Sequence, residues 1–508
     1  MEGYVMPETK LRLSPSSDEY EKCAKETPLI AVSTEISIDL DTPVSIYYKL
    51  VGDAKGFLLE SVDTSSQTLA RYSFIGAEPF IRLQVFKNRL MIKDRDLMKC
   101  IDGDPVHALK QYMAARRPAA FGESIPLANG GLVGYFNYEI VSTFDRVRGM
   151  EVGEEELLGE FMVCRVLVVF DALKNTARLI CLTDASAGAA EAYAEAERKM
   201  EALLAKMRGP ISALPSSFQP RAEKVDFLKK YEKPPARVLD MIRTIKEHIF
   251  AGDIFQAVPS FRFEEKITRP PFLFYRRLRQ VNPSPYMFYM NFGTTKLVGS
   301  SPERLVKVVD GVVYTYPIAG TRRRGKNDAE DAALAEELMA DEKERAEHAM
   351  LVDLARNDIG RISEPGSVKV TKLMAVERFS HVMHMVSEVI GRLKQDFTPM
   401  DVLRASFPAG TVSGAPKLRA MEIVRSLEPV PRKSYAGAVG YMDFAGNMDV
   451  CITLRTMRIE NDDTAYIQAG AGIVADSVPE NEYNEFLQKA KALFKVVEEV
   501  ENDAAPLG

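Results

Sequence analysis

The chain has 508 residues, enough for roughly two to four compact units or two subdomains around one core, and long enough that no disulfide or metal staple is needed for stability. Hydrophobic residues make up 46% and charged residues 27%, which excludes fibrous and disordered classes; 66 Lys and Arg against 72 Asp and Glu leave a formal charge of −6, which argues against a nucleic-acid partner. Five scattered cysteines without a CxxC pair suggest a reducing cytoplasm, and neither an export signal nor an apolar membrane span is evident.

The first periodic signal is Thr34–Leu40, where Ile36, Ile38 and Leu40 alternate with polar neighbours as in a half-buried strand. A helix should follow, with Asp41 or Thr42 as cap, Pro43 in its first turn and Gly52 at its left-handed end. Strands are expected around Val163–Phe170 and Arg178–Leu182, then an Ala/Glu-rich helix from about Ser186 to Gly209-Pro210. The Pro- and Ser-bearing stretch from Gly209 to about Glu223 has linker composition, which divides the chain into an amino-terminal unit, 1–223, and a second unit, 224–508. Val238, Ile242, Ile245 and Ile249 then fall at helical spacing before Gly252, and Arg304–Val309, Asp310-Gly311 and Val312–Ile318 read as a hairpin. Gly131-Leu-Val-Gly-Tyr-Phe136 is echoed by Gly437-Ala-Val-Gly-Tyr-Met442, which raises the idea of a duplicated strand. Hairpins with helices between them predict an α+β fold of antiparallel sheets packed as a sandwich, helices outside, in two interleaved subdomains.

Two acidic pairs stand at i,i+3 spacing, so each shares one helix face: Glu344 with Glu347 in a helical run from Asp331 to Leu354, and Glu482 with Glu485 after Val478-Pro479. Brought together, such oxygen ligands suit Mg²⁺; taken singly, an ExxE is ordinarily a solvated surface. Phe407-Pro-Ala-Gly-Thr-Val-Ser-Gly-Ala-Pro-Lys417 is a small-residue loop running into a helix; it lacks the phosphate-loop spacing and suits close backbone approach to a carboxylate. Ala469-Gly-Ala-Gly472 after a strand suits the same use, and either segment is by itself more often a tight turn. His381 and His384 are a weak metal signal, and Arg455, placed in a strand Cys451–Thr456, calls for a carboxylate partner.

Together these segments resemble the chorismate-utilising enzymes and, within that family, the large-subunit branch of anthranilate synthase. The likeness rests on Leu58-Leu-Glu-Ser61, Gly252-Asp-Ile-Phe-Gln-Ala-Val-Pro259, Asn282-Pro-Ser-Pro-Tyr-Met287, Ser301-Pro-Glu303, Pro317-Ile-Ala-Gly-Thr321, Asp341–His348, Leu351–Asp358, the Phe407 loop and Ala469–Gly472 with Pro479-Glu480, in order along nearly the whole chain. It implies an enzyme that adds ammonia to chorismate and eliminates pyruvate. Mg²⁺ would be held by Glu347 and Glu485, with Glu344 and Glu482 in the same cluster through water or as supports. Tyr435 and Arg455 would hold the enolpyruvyl carboxylate, and Gly320, Thr321 and Gly470, Ala471 and Gly472 would cradle the ring. Glu303 resembles the general acid, with a pKa that must rise for that task, and His384 the histidine of the same centre.

Two positions separate branches of that family. Water-using relatives carry Lys where this chain has Gln256, which has no proton to titrate; aminodeoxychorismate-forming relatives usually carry a nucleophilic Lys where this chain has Ala319. Direct ammonia addition is what remains. Leu59, Glu60 and Ser61 with Pro283, Ser284, Pro285, Tyr286 and Met287 resemble an L-tryptophan inhibitor site joining the subdomains, and the sequence contains no Trp. No Cys sits in a glutaminase-like arrangement, so ammonia is expected from solution or from a separate glutamine amidotransferase subunit in a hetero-oligomer. The competing readings are an aminodeoxychorismate synthase component I and a non-catalytic tryptophan-binding regulator on the same fold.

Overall fold

Two long strands, Tyr72–Phe86 and Gly159–Asp171, organise the molecule. In the computed structural model, which describes residues 11–61, 71–116, 125–211, 227–378 and 382–503, they pair antiparallel along their whole length. The register slips between Pro79 and Ile81, where proline offers no N–H and Glu78 turns to a φ of 55°. On one side of this kink the pair is flanked by Gly56–Glu60 and Thr176–Asp184, on the other by Arg89–Asp94 and Gly131–Phe136. The same two strands thus serve two antiparallel sheets.

One sheet continues from Gly56–Glu60 to Tyr286–Asn291, Thr295–Ser301, Thr456–Glu460, Thr464–Gly470 and Ser260–Lys266, with Leu29–Ser37 at its far edge. The other passes from Gly131–Phe136 to Ala438–Asp443, Met448–Ile452, Arg304–Val309, Val312–Thr315 and Val382–Arg392, which also pairs with Ile318–Arg323 and Lys369–Arg378. This is the α+β, antiparallel architecture expected from the hairpin pattern. Strands from both sides of residue 223 join in each sheet, while residues 212–226, most of the expected linker, lie outside the described residues.

The echoed segments are neighbours: Gly131–Phe136 and Ala438–Asp443 lie side by side with Gly134 opposite Gly440. A Cβ at either glycine would stand 2.0 or 2.1 Å from a carbonyl oxygen of the next strand, so the shared glycine permits the close strand approach.

Local chemistry explains where elements start and stop. Thr42 caps helix Pro43–Leu50 by accepting from the Ser45 N–H at 3.1 Å, and Gly52 follows at a φ of 59°. The preceding strand begins earlier than its periodicity predicts and stops at Ser37, leaving Leu40 94% exposed. Asp310 and Gly311 both adopt positive φ and make the expected tight hairpin turn. Its second strand ends at Thr315, because Pro317 cannot donate to a ladder, and resumes as Ile318–Arg323. The run from Asp331 is two helices, Asp328–Ala340 and Glu342–Gly360, divided at Asp341, whose extended backbone and carboxylate cap the second through the N–H groups of Lys343 and Glu344.

Helices Ala236–Phe250, Pro271–Val281 and Pro479–Glu501 bury Ile245, Phe274, Phe486 and Phe494 against Phe263 and Ile467 of the first sheet. Helix Glu342–Gly360 lies on strands Ile318–Arg323 and Val382–Arg392, pinned by a 2.6 Å hydrogen bond between the buried His348 Nε2 and Ser387 Oγ. No helix among the described residues is long and apolar enough to cross a membrane.

Candidate active site

Glu303 follows the strand Thr295–Ser301 and immediately precedes Arg304–Val309, so its backbone is held on both sides. Its carboxylate accepts a hydrogen bond from Thr411 Oγ1 at 2.9 Å, and the nearby cations are Lys489 and Arg455. Burial outweighs all three and raises its pKa to about 7, the direction a proton donor working near neutrality requires. Thr411 comes from the Phe407 loop, whose Gly414-Ala415 pairs with Gln256-Ala257. That pairing carries the loop and Gln256 to the same place.

The expected strand Cys451–Thr456 is two strands, Met448–Ile452 and Thr456–Glu460, and Arg455 stands in the link between them at a φ of 46°. Lys433 and Ala436, on either side of Tyr435, also have positive φ, at 53° and 59°. Three strained non-glycine residues around two side chains expected to bind one carboxylate signify a backbone held in place by its surroundings, the usual mark of a working site. The support is visible. Buried Arg432 donates to both Glu428 oxygens and to the carbonyls of Val412 and Val258, with its guanidinium over the Tyr138 ring. Glu428 in turn accepts from the Ser260 N–H and hydroxyl.

The Gly470, Ala471 and Gly472 segment leaves its strand beside these groups. A Cβ on Gly470 would lie 2.8 Å from the Tyr435 hydroxyl and 2.3 Å from the Pro259 carbonyl oxygen, and one on Gly472 would lie 2.5 Å from the Gln256 amide nitrogen. Gly470→Ala is therefore expected to displace the Pro259 backbone as well as Tyr435 and to raise the KM for substrate by about tenfold or more, the equivalent of about 1.4 kcal/mol; steady-state kinetics on the variant would show it, and an unchanged KM would contradict this packing. His384 Nδ1 lies 3.1 Å from both Thr321 Oγ1 and the Gly320 carbonyl oxygen. Burial lowers the His384 pKa more than the hydrogen bond to the Gly320 carbonyl raises it, and Arg455 adds to the lowering, so a neutral imidazole is favoured.

The acidic pairs do not merge into one cluster in this structure. Among the described residues no three His, Cys, Asp or Glu side chains come together as a metal-holding group. Each pair instead meets a nearby cation. Arg322 bonds Glu344 at 3.2 Å and also Glu337 and Asp341, and Lys489, one turn beyond Glu485, pairs with it at 2.7 Å. Burial and the like charge of Glu344 both raise the Glu347 pKa; burial raises that of Glu482, with Glu485 adding to it and Ser477 opposing. His381 lies outside the described residues.

The inhibitor-like segments, in contrast, are adjacent. Gly56–Glu60 pairs with Tyr286–Asn291, placing Glu60 opposite Met287 and Leu59 opposite Phe288. Buried Glu60 accepts from Tyr275 and from Arg279 Nε at 3.1 Å, and Ser284 is buried beside Ser300, with Pro283 and Pro285 flanking it. The Ser61 hydroxyl is enclosed with no hydrogen-bond partner among the described residues, a donor available to a ligand.

Sequence reasoning overlooked Lys489, which donates to the Gly470 carbonyl oxygen at 3.0 Å as well as pairing with Glu485. Its i,i+4 spacing from Glu485 was the available signal. Thr411 was inside a quoted loop, but nothing local showed that it would face Glu303.

An enclosed carboxylic acid, a guanidinium, an ammonium and glycine-lined backbone gathered where the chain passes between the two antiparallel sheets define an enzyme site for a small anionic substrate. Residues 57–495 match the family model described as chorismate binding enzyme. Anthranilate synthase component 1 of Acetivibrio thermocellus is 42% identical over 498 residues, covering 96% of this chain and 98% of that protein. The solved structure of anthranilate synthase component I from Streptococcus pneumoniae aligns with a TM-score of 0.72 at 38% identity, over 90% of this chain and 99% of its own. The menaquinone-specific isochorismate synthase of Escherichia coli shares the fold, with a TM-score of 0.69 at 18% identity over 95% of this chain and 100% of its own. The chain belongs to the chorismate binding enzyme family.

Proposed function

We propose that this chain is the large subunit of an anthranilate synthase, a lyase that converts chorismate and ammonia to anthranilate and pyruvate, inhibited by L-tryptophan and supplied with ammonia by a glutamine amidotransferase subunit in the cytoplasm. The observation that carries the reading is Glu303, a carboxylic acid with a pKa near 7, facing Arg455 and Lys489 in a chain collinear with anthranilate synthase components over nearly its full length.

Arg455 and Lys489 supply the positive charge that a doubly anionic substrate requires, and Tyr435 and the Gly470–Gly472 backbone orient it. Glu303 gives its proton to the departing ring hydroxyl as ammonia adds two ring carbons away. Neutral His384, fixed by Thr321 and Gly320, is placed to take part in proton transfer at the same ring as pyruvate leaves. Gln256 borders the site without a titratable proton, and Ala319 offers no nucleophile, so ammonia itself is the attacking group.

Glu347 and Glu485, with Glu344 and Glu482 beside them, are carboxylate donors of the kind that suits Mg²⁺; one ion shared between the two helices would require the pairs, which stand apart in this structure, to approach each other and Glu485 to release Lys489. Glu347 and Glu485 would hold the ion, which would supply positive charge to disperse that of the ring carboxylate.

The deciding assay supplies the purified chain with chorismate, ammonium at mildly alkaline pH and Mg²⁺, and identifies the aromatic product by mass. Anthranilate is expected; aminodeoxychorismate or no product would overturn the reading. Glu347→Gln and Glu485→Gln are each expected to lower turnover by about 100-fold or more and to weaken Mg²⁺ binding measured by calorimetry. Near-normal values for both would reject this cation site. Glutamine should support turnover only after an amidotransferase subunit is added.

A further inference from the structure

The sheet that joins the inhibitor-like segments also reaches the catalytic residues by two short bridges. The first is Arg304, next in the chain after Glu303. Its guanidinium donates to the Tyr286 hydroxyl, and that hydroxyl donates to Asp449 at 2.7 Å. Arg304 also pairs with Asp449 at 3.5 Å and covers the Tyr316 ring at 4.5 Å, just ahead of the strand that bears Gly320 and Thr321. Arg304, Tyr316 and Glu303 line one cavity with Thr411, so a shift of Arg304 is felt at the acid directly. The second bridge is Ser300. Its hydroxyl donates to the Asn282 carbonyl oxygen and lies 2.8 Å from Ser284 Oγ, whose hydroxyl can donate to it, while its backbone N–H donates to the Arg455 carbonyl oxygen at 3.2 Å. Arg455 has a φ of 46°, and a residue held in the left-handed region depends on such restraints.

We infer that Arg304 and Ser300 are the positioning residues through which a ligand held at Glu60, Ser61 and Pro283–Met287 acts on Glu303 and Arg455. The inference rests on the proposed tryptophan site and names its route to the catalytic groups. Tyr286 and Ser284 belong to the ligand-facing segment, and each is one hydrogen bond from a residue that holds a catalytic side chain or its backbone. A ligand that favours one arrangement of Pro283–Met287 must therefore favour one placement of Glu303 and Arg455, and by reciprocity chorismate must change the affinity for the ligand.

The test measures L-tryptophan affinity with and without chorismate, ammonia omitted so that nothing turns over. Because the chain contains no Trp, the fluorescence of the added L-tryptophan, excited at wavelengths too long for the tyrosines to absorb, reports binding without protein background. In the unmodified chain chorismate is expected to weaken tryptophan binding by roughly 5-fold or more. In Ser300→Ala and Arg304→Lys that factor should fall toward one, while affinity without chorismate stays within about threefold of the unmodified chain. The Ser300 variant removes one hydroxyl and keeps the backbone, so it remains informative if the Arg304 variant folds poorly. An undiminished factor in Ser300→Ala, or a factor of one in the unmodified chain, overturns the coupling. Failure of the unmodified chain to bind tryptophan overturns the inhibitor reading together with this route, whereas absence of anthranilate in the product assay is the separate failure of the catalytic reading.

Discussion

Glu303→Gln should reduce turnover by about 100- to 10,000-fold with little change in the KM for chorismate, because a well-placed general acid contributes about that much and the amide keeps the shape and the Thr411 contact while losing the proton. In the unmodified enzyme the acid works only when protonated. With a pKa pushed up to about 7, the turnover it supports at a fixed concentration of free ammonia should be full below neutrality and fall as pH rises through about 7; at fixed total ammonium the rising free-base fraction offsets that fall, which is why the product assay runs at mildly alkaline pH. A rate limb that persists unchanged in the Gln variant would assign that titration to another group.

The same substitution has the opposite effect on stability. A carboxyl whose folded pKa is raised keeps its proton in the native state after the unfolded chain has lost it, so Glu303 costs nothing below pH 4.5 and progressively destabilises the fold as pH rises to about 7. Gln carries no such cost. At pH 8 the inactive Glu303→Gln chain is expected to be more stable than the active one, by an amount on the order of 1 to 3 kcal/mol, and to lose that advantage at pH 4.5. Chemical denaturation at the two pH values reads the difference, and equal gains at both would refute the burial cost.

Arg432→Ala carries the largest expected cost to the fold. Its guanidinium is buried, satisfies both oxygens of buried Glu428 and two backbone carbonyls, and thereby joins strand Ser260–Lys266, the Phe407 loop and the turn leading to Tyr435. Removing it leaves a carboxylate enclosed without its partner, which typically costs about 3 to 5 kcal/mol. Because Tyr435 is three residues away on a backbone with positive φ at both flanks, surviving folded protein should also show a raised KM for chorismate. A joint Arg432→Met and Glu428→Leu replacement should recover part of the stability, since neither charge is then left alone. If Arg432→Ala unfolds at the same denaturant concentration as the unmodified chain, the buried pair does not anchor this turn.

What the sequence determined by itself was chemistry that depends on nearest neighbours along the chain. Thr42-Pro43, Asp310-Gly311 and Val478-Pro479 marked element ends because capping oxygens, left-handed glycine and the missing proline N–H act within a few residues. The motif order from Leu58 to Glu480 likewise disclosed the family, because a shared reaction requires the same residue types at corresponding positions. Tertiary structure alone decided how those pieces meet. Only folding could show that Thr411 and burial set the Glu303 proton, that Arg455 sits in a strained link rather than in a strand, that the Glu344 and Glu482 pairs find Arg322 and Lys489 first, and that Ser300 and Arg304 lie between two motifs. Those facts depend on burial and on distances between residues far apart in the chain, and neither leaves a local pattern to read.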